Sequence, residues 1–168
     1  MVFHFQPMDP PSVVLAIGLI IAVITDIKHG KIYNALNFPL IVLGLLMHWH
    51  EGMVSDALYG LGAGFIIHYG LWALGVQKGG DAKLMIAVGA LLGWEEMLQA
   101  TLWQWLLYVP VGLFVLAIRG RLSNLLRMLQ WMSTPKKLRD PKNRPEATSY
   151  RTGPLIAVAV TLAWFSTF

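Results

Sequence analysis

The sequence contains no cysteine. That absence excludes a disulfide framework, a thiolate nucleophile and a cysteine-ligated zinc site. Charge is scarce as well: Asp, Glu, Lys and Arg make up 13% of the 168 residues, against about 25% in an ordinary soluble domain. No lysine or arginine precedes Lys28, so the basic n-region of a cleavable signal peptide is missing and none is expected. What the chain has in excess is apolar sequence, 56% hydrophobic with a mean hydropathy of +0.57. A chain so apolar belongs in a membrane. Its net charge of +4 therefore reads as topology rather than as a nucleic-acid surface, and no nucleic-acid partner is expected.

A membrane-crossing helix needs roughly 20 mostly apolar residues. Six segments fit, at about Ser12 to Asp26, Leu36 to Trp49, Val54 to Val76, Asp81 to Trp94, Met97 to Ile118 and Gly153 to Phe168. The first, second, fourth and sixth are short for a full span and would place their ends near water. The predicted architecture is one membrane-embedded domain over residues 1–168, an all-α integral membrane fold with six transmembrane helices. One amphipathic helix joins it. Leu122, Leu125, Leu126, Leu129 and Met132 form an apolar stripe within Arg121 to Met132, as in a helix lying on the cytoplasmic leaflet. That helix and the basic loop from Ser133 to Thr152, read as mobile, occupy residues 119–152.

Charge orients the chain. With six crossings, the first, third and fifth connections share one side, and that side carries all 13 lysines and arginines. The opposite side carries only acids: Asp9, Glu51, Asp56, Glu95 and Glu96. The positive-inside rule places the basic side in the cytoplasm and both termini outside. Trp49, Trp94, Trp103, Trp105 and Trp164 fall near the outer ends, as an interfacial belt does. Pro110 and Gly112 are expected to kink the fifth helix. Gly60-x-x-x-Gly64 and Gly89-x-x-x-Gly93 permit close helix packing, within the chain by default or between copies in a homo-oligomer.

Two aspartates then stand out, Asp26 at the end of the first segment and Asp81 at the start of the fourth. Acids at the edge of hydrocarbon are costly and so suggest function. The chain between them crosses the membrane twice, which returns it to the side it left. Both carboxylates are thus expected at the cytoplasmic face. The plainer readings are an interfacial Asp26 paired with Lys28 and an Asp81 that merely caps its helix. Gly79 and Gly80 before Asp81 argue for more, since glycine allows sharp bends and close approach of another chain, including a peptide added as a strand. Two adjacent carboxylates can share one proton. The ionised one then takes a proton from water while the other donates to a carbonyl oxygen, which is hydrolysis by general acid–base chemistry.

At this point the sequence resembles a known family. Asp26-Ile27-Lys28-His29-Gly30-Lys31-Ile32-Tyr33-Asn34 resembles the first aspartate motif of the type IV prepilin peptidases. Gly79-Gly80-Asp81-Ala82-Lys83-Leu84, followed by Ala87 to Gly93, resembles their Gly-x-Gly-Asp motif and fourth helix, and Gly153-Pro154 their last helix. The resemblance covers essentially the whole chain. It implies a membrane aspartyl endopeptidase that removes the basic leader of prepilin or pseudopilin precursors at the cytoplasmic face of the bacterial inner membrane. Asp26 and Asp81 match the catalytic pair, and no cofactor or metal is implied. The short form of tight-adherence (Tad/Flp) pilus systems is the most similar. Larger relatives carry a cysteine-bearing methyltransferase part that nothing here matches, so cleavage without N-methylation is expected. Lys78 replaces the first motif glycine and Tyr33 a usual proline. Lys78 bears on loop flexibility and substrate preference.

Other residues are read more plainly. Gly79, Gly80 and Lys83 are candidates for substrate binding or for shaping the loop, with a positive-inside anchor as the alternative for Lys83. His29 reads as a solvated loop residue. His48 and His50 do not share a helix face and hold no metal. His68 reads as a hydrogen-bonded packing residue. Two other functions fit a membrane chain with paired acids: a small proton-coupled transporter, and a non-catalytic pilus or secretion assembly subunit.

Overall fold

A computed structural model of the chain describes residues 2–3, 9–120 and 151–167, with positions 123, 127, 130 and 133. Helix α1 is Pro10–His29. Asp9 caps it by accepting from the Ser12 N–H at 3.3 Å, and two prolines fill its first positions, where a missing N–H costs nothing. The helix runs one turn past Asp26, further than its hydropathy suggests. Gly30 stops it in a left-handed conformation (φ 70°) with its N–H on the Asp26 carbonyl. Leu15, Gly18, Leu19, Ala22 and Asp26 are all buried. Their spacing of three and four puts Asp26 on the inward stripe.

Helix α2 is Asn34–His50, and α3 is Val54–Gly64. The helix expected from Val54 to Val76 is continuous as far as Ala73 but contains a π-helical turn. After α3 come a π-helical turn at Phe65–Tyr69 and a short α4, Gly70–Ala73, closed by Gly75 at φ 78°. The π turn carries a buried His68, whose Nδ1 lies 3.0 Å from Gln77 Oε1. Its Nε2 lies 3.0 Å from Thr101 Oγ1, and the Thr101 hydroxyl is also 2.8 Å from the Met97 carbonyl oxygen. This histidine ties the π turn to the segment just ahead of Asp81, a side-chain pairing that hydropathy does not reveal.

Helix α5, Gly79–Leu92, is the centre: Asp81, Ala82 and every residue from Leu84 to Leu91 are buried. It packs most extensively on α3 and α2. Glycines make the approach possible. A Cβ on Gly60 would run into the Gly89 carbonyl, and one on Gly89 into the Gly60 carbonyl; one on Gly44 would meet the Ala90 carbonyl. Gly60 and Gly89, one from each GxxxG pair, are thus used within the chain.

Helix α6 is Trp94–Ile118 and includes Pro110. Helix α7 is Gly153–Phe165, followed by a two-residue antiparallel ladder that pairs β1 (Val2–Phe3) with β2 (Ser166–Thr167). Apart from that ladder, the regular structure among the described residues is helical, as expected. The chain divides into two compact units, residues 1–105 with 151–168, and residues 106–150. In the second, residues 106–118 are the latter part of α6, with Leu106, Phe114 and Ile118 exposed. The amphipathic helix expected over Arg121 to Met132, and the loop as far as Tyr150, fall largely outside the described residues.

Helices α1 and α6 are each long and apolar enough to cross a membrane, with hydropathy 2.1 and 1.7. Helices α2, α5 and α7 are shorter, at 17, 14 and 13 residues. Large apolar side chains face outward on several helices, among them Ile17, Ile20, Phe38, Leu46 and Ile66. Water-soluble monomers rarely carry so extensive an apolar coat.

Candidate active site

Asp26 sits in the last turn of α1 and Asp81 in the first turn of α5. The bland reading of Asp81 as a helix cap does not hold, because Lys78 is the N-cap and Asp81 is the third helical residue. Each aspartate is only 1% exposed. Both line one cavity of about 370 Å³, together with Gly30, Lys31, Ile32, Tyr33, Asn34, Lys78, Gly79 and Gly80. An apolar cavity of about 310 Å³ between α1 and α7 is lined by no ionisable side chain. The polar cavity is therefore the candidate site.

Two neighbouring residues reach both acids. The Thr152 hydroxyl donates to Asp81 Oδ2 at 2.6 Å, and the Gly153 N–H donates to Asp26 Oδ2 at 2.8 Å. The first distance is in the range of a hydrogen bond to a charged oxygen. Asp26 Oδ1 is buried with no hydrogen-bond partner. Neither Thr152 nor the Gly153 N–H stood out in the sequence. A lone threonine before an apolar helix looks like an ordinary N-cap, and nothing in the pattern ties Thr152 to Asp81, 71 positions away, or Gly153 to Asp26, 127 positions away.

The glycines serve close approach more than a sharp bend. Gly79 and Gly80 are in the first turn of α5, and neither has a positive φ. A Cβ on Gly80 would stand 2.9 Å from the Ile32 carbonyl oxygen, and one on Gly79 3.1 Å from Trp72 Nε1. Lys78 has φ −74° and ψ 148°, an extended conformation open to any residue, so lysine there brings no backbone strain. Gly80→Ala forces the Ile32 segment or Asp81 to move, and is expected to cut activity at least tenfold with smaller loss of folded protein. Turnover measured beside a detergent melting curve checks this. Unchanged turnover would show that the Ile32 contact does not position Asp81.

Helix α2 braces the same corner. Asn37 Nδ2 donates to the Gly80 carbonyl at 3.1 Å, and Lys83 Nζ donates to Asn34 Oδ1 at 2.9 Å while lying 5.7 Å from the centre of the Phe38 ring. Lys83 thus joins α5 to the start of α2. His29 is exposed and meets the Tyr33 ring edge-on at 6.0 Å. Among the described residues, no three of His, Asp and Glu stand close enough to hold a metal ion.

The type IV leader peptidase family matches this sequence over residues 13–113, a stretch that contains both aspartates. The chain is similar to the prepilin peptidase EppA of Methanothermobacter thermautotrophicus, with 27% identity over 86% of this chain and 41% of the relative. It is also similar to the preflagellin peptidase of Methanocaldococcus jannaschii, with 37% identity over 48% of this chain and 37% of the relative. A prepilin leader peptidase/N-methyltransferase of Escherichia coli shows 31% identity over 44% of this chain and 37% of the relative. The matched stretch is less than half the length of each of these relatives. No solved structure matches the chain.

Proposed function

The chain belongs to the type IV leader peptidase family, and from that premise we propose that it is a membrane aspartyl endopeptidase acting on prepilin-like precursors. The observation that carries this reading is the burial of two carboxylates, from the ends of α1 and α5, in one polar cavity. Asp26 and Asp81 are its catalytic pair. A water held between them loses a proton to the ionised carboxylate, and its oxygen attacks the scissile carbonyl carbon. The protonated carboxyl gives its proton to the carbonyl oxygen. Collapse of the tetrahedral intermediate breaks the C–N bond: the proton taken from water passes to the leaving amine, and a hydroxyl of the intermediate returns a proton to the other carboxylate, which restores the singly protonated pair. No covalent intermediate forms with the protein.

The substrate would carry a basic leader followed by a hydrophobic helix. The helical spans, the outward apolar side chains and the one-sided distribution of lysine and arginine support a multi-pass chain in lipid with the dyad facing the cytoplasm. We assign it to the bacterial inner membrane, with both termini outside and a Flp-type precursor as its substrate. The activity assigned to these residues is cleavage alone, since they contain no cysteine-bearing segment resembling a methyltransferase part.

The test is to incubate the protein, purified in lipid or detergent, with a precursor of this design and read the products by mass spectrometry. One cut at the leader boundary, with an unmethylated new N-terminus, is expected. An intact precursor, with proton flux in reconstituted vesicles, would favour the transport function instead.

A further inference from the structure

We propose that Thr152 is a positioning residue that, with the Gly153 N–H, sets the spacing of the two carboxylates. This inference rests on the peptidase reading above. The acids come from different helices, and each can rotate about its own side-chain bonds. Their Oδ2 atoms are nevertheless held by donors from consecutive residues, whose Cα atoms the trans peptide keeps about 3.8 Å apart. One dipeptide therefore acts as a ruler between α1 and α5.

The ruler is itself anchored. The Thr152 carbonyl accepts the Ile156 N–H at 3.1 Å, which binds it into the first turn of α7. Gly153 lies directly on Asp26: a Cβ there would stand 2.9 Å from the Asp26 Cβ and 3.2 Å from Oδ2. On the other side, the Arg151 guanidinium fills the space a side chain on Gly30 would need. The clamp occupies one oxygen of Asp26 and leaves Oδ1 buried without a partner. A buried acceptor left open in this way needs a use, and binding the attacking water or the scissile peptide supplies one. Thr152 and Gly153 both lie beyond the stretch 13–113 that the family match covers.

Thr152→Ser and Thr152→Ala test the clamp, because both delete the same methyl group and differ only in the hydroxyl. The Ser variant should keep kcat within about threefold of the parent. The Ala variant should lose roughly ten- to hundredfold in kcat relative to Ser, the scale of one hydrogen bond to a charged group. KM for the precursor should change little in both, since Thr152 holds an aspartate rather than the substrate. Equal kcat in the two variants, whether high or low, would overturn the proposal, as would a loss confined to KM. Asp81→Asn, assayed in parallel, separates the two levels. If it retains full cleavage, the assignment of Asp81 to the catalytic pair fails, and the clamp with it. If it is inactive while Ala matches Ser, only the clamp fails.

Discussion

Asp26→Asn and Asp81→Asn should each lower the rate of leader cleavage by about a hundredfold to ten-thousandfold, the usual contribution of a positioned acid or base. Asparagine has nearly the same shape as aspartate, and its carbonyl oxygen can still accept the Gly153 N–H or the Thr152 hydroxyl. The helix contacts around both positions stay as they are, so insertion and yield should match the parent. What asparagine cannot do is take a proton from water or pass one to a carbonyl. The double variant should be hardly worse than either single one, because the two groups act as a unit. Rates measured at saturating precursor, beside membrane yields, decide the matter. Retained cleavage by either variant would remove that aspartate from the mechanism.

The largest expected effect on stability comes from Gly89→Val. Gly89 and Gly60 meet backbone to backbone, so each Cβ would fall on the other's carbonyl oxygen. A flexible side chain could swing aside, but a helical carbonyl cannot without moving its helix. Overpacking ordinarily costs about 1–3 kcal/mol. Here α5 is buried along nearly its whole length, so a shift against α3 disturbs α2 as well, and the cost should exceed that range. Gly62→Val is the control, since no atom stands within 4 Å of the Cβ it would add. It should change stability by no more than about 0.5 kcal/mol. Melting in detergent checks both: the Gly89 variant should be lost or unfold far earlier. Equal melting of the two variants would mean that α3 and α5 are not in the contact described.

Much of this site follows from local pattern. Asp26 and Asp81 stand out from hydropathy breaks and from counting crossings, and the GxxxG spacing marks Gly60 and Gly89 as points of close helix approach without making them each other's partner. The extra turn of α1 was missed because Asp26, Lys28 and His29 lower the hydropathy that marks a helix in lipid, whereas Gly30 sets the real end. The π turn and its His68 links to Gln77 and Thr101 depend on side-chain hydrogen bonds, which leave no periodic trace. Thr152 and the role of the Gly153 N–H were missed for a related reason. Their partners lie on helices from the other end of the chain, and long-range polar contacts leave no mark on apolar periodicity. Of the two roles expected of Gly79 and Gly80, a sharp bend and close approach, the structure has the second: Gly80 leaves room for Ile32 to pack onto the start of α5, and Gly79 lies against Trp72.

The absence of native cysteine makes the central claim open to a clean measurement. In Asp26→Cys/Asp81→Cys, a short bifunctional thiol reagent that fluoresces only when it bridges two thiols is added to oriented membrane vesicles. The account predicts a fluorescent intramolecular bridge formed from the cytoplasmic face, with neither single variant giving a signal. Labelling of the two positions from opposite faces, with no bridge, would contradict it.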